Sequence, residues 1–129
     1  MTDARPRIVV TAAVIRRGDE YFVTRRQWGA HLEGLWEFPG GKCDRGETLE
    51  ACLQREIREE LGADVIVRGR ILACSHEYPE RIVDLHFFDC ELAGEPLPML
   101  GQEMRWVQRA DLRSLQFPPA DDELIALLS

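Results

Sequence analysis

The stretch from Thr48 to Gly62 constrains the fold most, because it is the longest segment of helical period in a chain otherwise rich in strand-like patterns. Leu49, Leu53 and Ile57 recur every four residues, which places them on one face of a helix. Gly62 follows this segment where a C-terminal cap is expected. Since an apolar helix face must be covered, we expect the surrounding strands to form a sheet against it.

Strand-like patterns lie on both sides of this helix. Residues 7–15 and 21–25 are rich in Val, Ile, Phe and Thr, and they flank the polar turn 17–20, which predicts a hairpin. The other predicted elements are a short apolar piece at 35–38 that Pro-Gly-Gly at 39–41 stops, strands at 65–75, 81–92 and 104–107, a helical turn at 110–115 and a helix at 121–128. The predicted fold class is α/β (α+β), a sandwich rather than a helical bundle.

Length and charge limit the possible functions. The chain has 129 residues, and we expect residues 1–129 to form a single domain. Its net charge of −7 argues against a surface that binds DNA or RNA polymers. The longest apolar runs are too short to cross a bilayer, and the N-terminus lacks the apolar core of a secretory signal. We therefore expect a cytoplasmic protein with no membrane partner.

The four cysteines are widely spaced and form no Cys-x-x-Cys pair. We expect Cys43, Cys52, Cys74 and Cys90 to be small buried apolar residues or free thiols in a reducing compartment. Neither a zinc site nor a disulfide framework is predicted, because the spacings typical of such sites are absent.

Three glutamates cluster on the predicted helix. Glu56, Glu59 and Glu60 stand at positions i, i+3 and i+4, where their charges repel unless a cation binds or water solvates them. A helical wheel places Glu60 between Leu49 and Leu53 of the buried face, which disfavours a purely solvated role. Mg²⁺ and Mn²⁺ prefer oxygen ligands, so a divalent metal site is one interpretation and a solvated acidic face is the other.

Residues 41–62 match the Nudix box, which is Gly, five residues, Glu, seven residues, then Arg-Glu-aliphatic-any-Glu-Glu-any-Gly. The matching residues are Gly41, Glu47, Arg55, Glu56, Ile57, Glu59, Glu60 and Gly62. If each of the seven fixed positions matched at roughly one in fifteen from average composition, chance agreement would be on the order of 10⁻⁸. The chain therefore resembles the Nudix hydrolase superfamily, with Ala63 as a small departure where the box prefers a larger aliphatic residue.

The resemblance covers nearly the whole chain, and the chain looks most like MutT-type enzymes. Four further segments carry this resemblance: 22–26 (FVTRR), 35–42 (LWEFPGGK), 101–107 (GQEMRWV) and 117–121 (FPPAD). It implies an α/β/α sandwich around a mixed sheet, with Mg²⁺ as the cofactor and Mn²⁺ as a substitute. It also implies that water attacks a phosphorus of a diphosphate linkage, which for MutT-type enzymes gives a nucleoside monophosphate and pyrophosphate.

The resemblance assigns roles in and beside the box. Four groups are implied as metal ligands: the carboxylates of Glu56, Glu59 and Glu60 and the carbonyl of Gly40. Four members of the box are implied to be structural: Gly41, Glu47, Arg55 and Gly62. The Arg55–Glu47 pair would hold the loop on the helix as an ion pair. Lys42 would contact phosphate, although a lysine after glycines also often faces only solvent.

One departure leaves the catalytic base open. Many MutT-type relatives carry an acidic residue directly before the Gly-Gln of 101–102, and this chain has Leu100 there. Glu103 lies close by in the sequence and is one candidate for the base, and a glutamate of the box is the other. The implied catalytic residues are Glu56, Glu59, Glu60 and Glu103.

The positions at which MutT-type enzymes contact the nucleoside can also be assigned by resemblance. They are Arg26, Phe38, Tyr78, Arg81 and Asp121, and Ile8 and Val10 would line the same pocket. Phe38 and Tyr78 are equally interpretable as core residues. Arg26 and Arg81 are equally interpretable as ligands of phosphate or sugar, or as partners of surface carboxylates.

Asp121 stands where members selective for 8-oxoguanine carry an amide. A carboxylate only accepts hydrogen bonds, so Asp121 favours a base edge rich in donors, such as those of guanine, 8-oxoguanine or cytosine. Similar Ala-Asp endings occur in relatives that are CTP pyrophosphohydrolases. The alternative interpretation is that Asp121 only caps the last helix.

The expected activity is cleavage of oxidised nucleotides, in particular of 8-oxo-dGTP to 8-oxo-dGMP and pyrophosphate. The alternatives are cleavage of CTP or dCTP (including 5-methyl-dCTP), an ADP-ribose-type reaction and a non-catalytic nucleotide-binding module. Such modules typically lose box glutamates, and this chain keeps them. The expected partner is a small nucleotide, with no nucleic acid polymer, and the chain is expected to be a monomer or weak homodimer.

Overall fold

A computed structural model describes residues 3–27 and 33–129. The elements within them are β1 (Arg7–Arg17), β2 (Glu20–Arg25), β3 (Trp36–Glu37), β4 (Gly40–Lys42), α1 (Leu49–Leu61), β5 (Asp64–Glu77), β6 (Ile82–Ala93), β7 (Met104–Gln108) and α2 (Asp122–Leu128). Two 3₁₀ turns, Arg109–Ser114 and Pro119–Asp121, precede α2. Neither helix of this described part is long and apolar enough to cross a membrane.

The strands form a mixed sheet in the order β3-β2-β1-β6-β5, with β4 paired to β1 and β7 paired to β2. β1 and β6 run parallel, with Arg7 opposite Ile82, whereas β5 and β6 form a long antiparallel pair. The predicted hairpin is present, with Arg16 of β1 opposite Tyr21 of β2. The prediction of a mixed sheet is therefore confirmed.

Each face of the sheet has its own apolar cluster, because successive side chains of a strand point to opposite faces. The cluster beneath α1 comprises Ala13, Ile15, Phe22, Leu53, Ile57, Leu61, Val65 and Cys90. The cluster on the other face comprises Ala12, Val14, Tyr21, Val23, Trp36, Phe38, Phe87, Val107, Leu112, Leu124 and Ile125. Because α1 covers one face and α2 with a 3₁₀ turn covers the other, the fold is the predicted α/β/α sandwich.

Capping groups fix the ends of α1. The Thr48 hydroxyl accepts a hydrogen bond from the Ala51 amide at 3.1 Å, which satisfies a donor of the first turn. At the other end Gly62 has a φ of 60°, and its amide donates to the Arg58 carbonyl. Ala51, Gln54 and Arg58 are exposed. The predicted helix is therefore confirmed, and these three residues form its outward face.

The Gly-Gly pair after β3 forms a strand rather than the terminating loop predicted from the sequence. β4 pairs antiparallel with β1, with Gly41 opposite Thr11. A Cβ atom on Gly40 would lie 2.0 Å from the Thr11 carbonyl oxygen, so this close approach requires glycine. Glycine disfavours strands in general, which is why the pattern did not predict β4. This strand places the Gly40 backbone beside α1.

We expect Leu53→Ala to lower the free energy of unfolding by about 2–5 kcal/mol, because the lost methyl groups leave a cavity. Leu53 lies on the face of α1 that packs against the sheet, and it is fully buried. The neighbouring exposed residue provides a control, since Gln54→Ala should change stability by no more than about 0.5 kcal/mol. Urea denaturation of both variants measures the difference. Equal losses would show that this face of α1 is not packed against the sheet.

Candidate active site

A cavity of about 350 Å³ lies between β4, the β5–β6 turn and the segment before α2. It brings together seven of the predicted site residues: Arg26, Phe38, Gly40, Lys42, Tyr78, Arg81 and Asp121. Ile8 and Val10, predicted beside them, line the same space. Residues dispersed over more than 90 positions of the sequence thus face one cavity of the size that small ligands occupy.

A smaller cavity of about 180 Å³ lies next to the first, and the ion-paired residues Arg26 and Glu37 line both. Glu60, Leu100 and Gln102 line this second cavity. Glu60 therefore lines one of two neighbouring cavities and Asp121 lines the other.

Two box glutamates face the glycine strand from α1. The Gly40 amide donates to the Glu60 carboxylate at 3.3 Å, and a Cβ atom on Gly41 would lie 2.4 Å from the carboxylate of Glu56. Burial, followed by the charges of neighbouring carboxylates, raises the pKa of Glu60 to about 8. Burial also raises the pKa of Glu56. The negative charges of these carboxylates are therefore costly in the folded chain, and a bound cation would stabilise them.

Arg55 is the cation that the chain itself places among these carboxylates. Its guanidinium donates to Glu47 at 2.8 and 2.9 Å, to Glu56 at 2.9 Å and to Glu59 at 3.2 Å. It also donates to the Lys42 carbonyl at 3.1 Å, which ties the loop to α1. Hydrogen bonds, chiefly that from Arg55, lower the pKa of Glu47 to about 2. The Arg55–Glu47 pair expected from the resemblance is thus present.

The three box glutamates are not arranged as a complete set of metal ligands. Among residues 3–27 and 33–129, no three acidic, histidine or cysteine side chains converge closely enough to hold an ion. The carboxylates of Glu56 and Glu59 accept hydrogen bonds from Arg55, and that of Glu60 accepts one from the Gly40 amide. The side chain of Glu59 is 58% exposed, so it has room to turn toward a cation. The donor set of carboxylate and carbonyl oxygens fits Mg²⁺ or Mn²⁺.

Asp121 lies at the other end of the large cavity. It is only 7% exposed, and its side chain makes no capping hydrogen bond to α2. Burial, followed by the charges of Glu37 and Asp122, raises the pKa of Asp121 to about 7. Across the same cavity the Arg81 Nε is buried with no hydrogen-bond partner in the described part of the chain. A buried donor and a buried carboxyl facing one space are the groups that a base edge would satisfy.

Phe38 and Tyr78 form walls of this cavity. Phe38 is 4% exposed and stacks on Phe117 with ring centroids 5.4 Å apart, so it belongs to the core and to the cavity. Tyr78 meets His76 edge-on at 4.8 Å, and the Arg81 guanidinium lies 5.4 Å from its ring. The aromatic surfaces are therefore held in place before any ligand binds.

Glu37 is a site residue that the sequence did not reveal. It lies on β3 opposite Thr24, lines both cavities and forms an ion pair with Arg26 at 2.7 Å. Burial raises the pKa of Glu37, although Arg26 opposes this. In the sequence, the one indication of this role was an acidic residue between Trp36 and Phe38, in the segment 35–38 that we interpreted only as apolar.

Glu103, the candidate for the acid missing at position 100, lies apart from both cavities. Its carboxylate pairs with Arg25 at 3.4 Å and lies 3.8 Å from Arg105. Gln102 is the residue that reaches α1, where its amide donates to the Glu60 carbonyl at 2.8 Å. A catalytic role for Glu103 stays a prediction.

Cys43 and Cys52 are joined by a disulfide, so the expectation of free thiols is wrong for this pair. Their Cα atoms lie 5.2 Å apart because the loop between β4 and α1 folds back onto the helix. The spacing of the cysteines in the sequence does not predict this contact. Cys74 and Cys90 are free thiols, as expected.

The raised pKa of Asp121 predicts a pH-dependent loss of stability. Between about pH 4 and pH 7 the folded state holds a proton that the unfolded chain has released, so the free energy of unfolding should fall as pH rises. One such group accounts for at most about 1.4 kcal/mol per pH unit. Asp121→Asn should make this decline shallower in urea titrations across that range. Identical slopes in the variant and the wild type would contradict the burial of an uncompensated carboxyl.

Comparison with known proteins agrees with this architecture. A family model described as the NUDIX domain matches residues 10–127. The 8-oxo-dGTP diphosphatase of Haemophilus influenzae is 39% identical over 120 residues, which cover 92% of this chain and 88% of the relative. The CTP pyrophosphohydrolase of Escherichia coli is 33% identical over 121 residues, which cover 92% and 88% of the two chains.

A solved structure extends the comparison to three dimensions. The MutT protein of methicillin-resistant Staphylococcus aureus, described as a Nudix hydrolase, matches with a TM-score of 0.80 at 33% identity and covers 96% of each chain. The box, the α/β/α sandwich and these relatives agree, so the prediction of a MutT-type Nudix hydrolase is confirmed. The chain belongs to the NUDIX domain family.

Proposed function

We propose that this chain cleaves nucleoside triphosphates to monophosphate and pyrophosphate with the help of a divalent cation, and that 8-oxo-dGTP is its substrate. The observation that carries the proposal is the pair of neighbouring cavities, one lined by Glu60 and the other by Asp121. A nucleotide has the matching linear order of phosphates, sugar and base. The relative named 8-oxo-dGTP diphosphatase, at 39% identity, supports the choice of substrate.

The cation is Mg²⁺, for which Mn²⁺ substitutes, and its ligands are drawn from one short region. The ligand groups are the carboxylates of Glu56, Glu59 and Glu60 and the carbonyl of Gly40. When bound, the cation supplies charge neutralisation for the phosphates and acidifies the attacking water. Arg26 and Lys42 line the large cavity, where their positive charges would bind phosphate oxygens.

Asp121 and Arg81 recognise the base. With a pKa of about 7, the Asp121 carboxyl is present in both protonation states near neutral pH. The protonated form donates and accepts, as an amide does, and so matches the O6 and N7–H edge of 8-oxoguanine. The ionised form only accepts, and so favours the amino group of cytosine. CTP or dCTP is therefore the second candidate substrate, in line with the relative named CTP pyrophosphohydrolase.

Glu60 of the box is the preferred general base, because it lines the smaller cavity, whereas Glu103 lines neither cavity. A base must come within hydrogen-bond reach of the water, directly or through one further water. Glu103→Gln should therefore leave the rate of pyrophosphate release within about threefold of the wild type. A loss of about 100-fold or more would transfer the role to Glu103.

Glu59→Gln should lower kcat by at least about 100-fold with little change in stability, because one metal ligand is neutralised while its shape is kept. Glu50→Gln is the matched control, since Glu50 is an exposed acid in the first turn of the same helix. Pyrophosphate release with Mg²⁺ and the urea midpoint of each variant give the two readouts. Near-normal turnover of the Glu59 variant would refute the metal assignment.

Asp121→Asn should raise kcat/KM for 8-oxo-dGTP relative to CTP and dCTP by about tenfold or more, because the amide always donates and accepts. A screen of pyrophosphate release should include 8-oxo-dGTP, dGTP, CTP, dCTP, 5-methyl-dCTP and ADP-ribose. Asp122→Asn, at the exposed neighbouring position, serves as the control. If the order of substrates is unchanged by Asp121→Asn, the residue does not read the base.

A further inference from the structure

The Cys43–Cys52 disulfide joins the two elements that carry the proposed metal ligands. Cys43 directly follows β4, which holds Gly40, and Cys52 lies on α1 one turn before Glu56. The bond therefore closes the corner at which the carbonyl ligand meets the carboxylate ligands. No step of the proposed reaction uses it.

The two sulfur atoms differ in their surroundings. Cys52 is fully buried, and its sulfur lies 3.3 Å from the Thr11 hydroxyl and 3.8 Å from the Gly41 carbonyl oxygen. Cys43 is half-buried, lines a surface cavity and is anchored to β1 by its amide, which donates to the Val9 carbonyl at 2.8 Å. Cys43 is therefore the more accessible member of the pair for an external thiol.

The remaining cysteines are poorly suited to compete with this pair. Burial, followed by the charge of Asp89, raises the pKa of Cys90 to about 12. Burial also raises the pKa of Cys74, with smaller contributions from Glu123 and Asp121. Since the thiolate is the reactive form, burial makes both thiols less reactive than an exposed cysteine. All four cysteines lie in the described residues, so Cys43 and Cys52 are the pair at which redox chemistry is expected.

We propose that Cys43 and Cys52 are positioning residues for the metal site, and that their oxidation state sets how firmly the site is organised. In the oxidised form the bond holds β4 on α1, so less ordering is required when a cation binds. In the reduced form the same corner relies on the bonds that Arg55 makes to Glu47 and to the Lys42 carbonyl. This inference rests on the metal site proposed above.

Reduction and oxidation follow balanced thiol chemistry. A dithiol reductant attacks the sulfur of Cys43, the disulfide breaks and Cys52 leaves as a thiolate that takes up a proton. The second thiol of the reductant then closes its own disulfide and releases Cys43. In the other direction, hydrogen peroxide oxidises Cys43 to the sulfenic acid, and the Cys52 thiolate displaces hydroxide from it. Two thiols and one peroxide give one disulfide and two waters.

The test compares the full chain after treatment with hydrogen peroxide and after treatment with dithiothreitol. The oxidised form should lack two titratable thiols in denaturant and should unfold about 5–10 °C higher. It should bind Mn²⁺, measured by electron paramagnetic resonance without nucleotide, about 3–10-fold more tightly. The Mg²⁺ concentration for half-maximal turnover should shift by a similar factor, while kcat changes less than about twofold.

Two variants isolate the pair. The double variant Cys43→Ser, Cys52→Ala should behave as reduced wild type after either reagent, whereas Cys74→Ala should respond to both as wild type does. Equal Mn²⁺ affinity in the two wild-type forms would overturn the inference and leave the metal site standing. Absence of Mn²⁺ binding in both forms would overturn the metal site and the inference together. Four free thiols after peroxide would overturn the inference alone.

Discussion

Buried carboxylates that lie close together repel one another, and the junction of β4 and α1 depends on how this repulsion is balanced. Arg55 balances it from one side, through bonds to Glu47, Glu56 and Glu59 and to the backbone of the loop. Glu60 lies beyond its reach and has a pKa of about 8. The close packing needed here accounts for the two glycines of β4, since a side chain would collide with β1 or with Glu56. In the proposed site, a bound cation would complete this balance.

Repulsion between buried carboxylates also affects Asp121 in the large cavity. Glu37 lines both cavities, and after burial its charge is the next cause that raises the pKa of Glu60 and of Asp121. A polyanionic substrate would enter a space already crowded with negative charge, in a chain whose net charge is −7. Arg26 and Lys42 offset part of that charge, and a divalent cation would offset more. A bound nucleotide and a bound cation are therefore expected to stabilise each other.

The sequence predicted the elements whose signals are local, and it missed features decided by contacts between distant segments. The period of α1, the hairpin and the long β5–β6 pair follow from patterning and caps, and the box spacing placed the acidic cluster. Gly40–Lys42 pairs with β1 because glycine permits close approach, although glycine usually predicts a turn. The Cys43–Cys52 bond and the burial of Glu37 depend on how the loop and β3 pack. Glu103 is adjacent to the site in sequence, yet its carboxylate pairs with Arg25, lies near Arg105 and lines neither cavity.

A crystal structure of the chain with Mg²⁺ and a nonhydrolysable nucleoside triphosphate tests the metal site most directly. We expect the ion to be bound by Glu56, Glu59 and Glu60 and by the Gly40 carbonyl, with the phosphates sharing it. Arg55 should then have released Glu56 and Glu59 while keeping its bonds to Glu47. An ion bound elsewhere, with Arg55 still paired to both glutamates, would contradict the assignment of this junction as the catalytic centre.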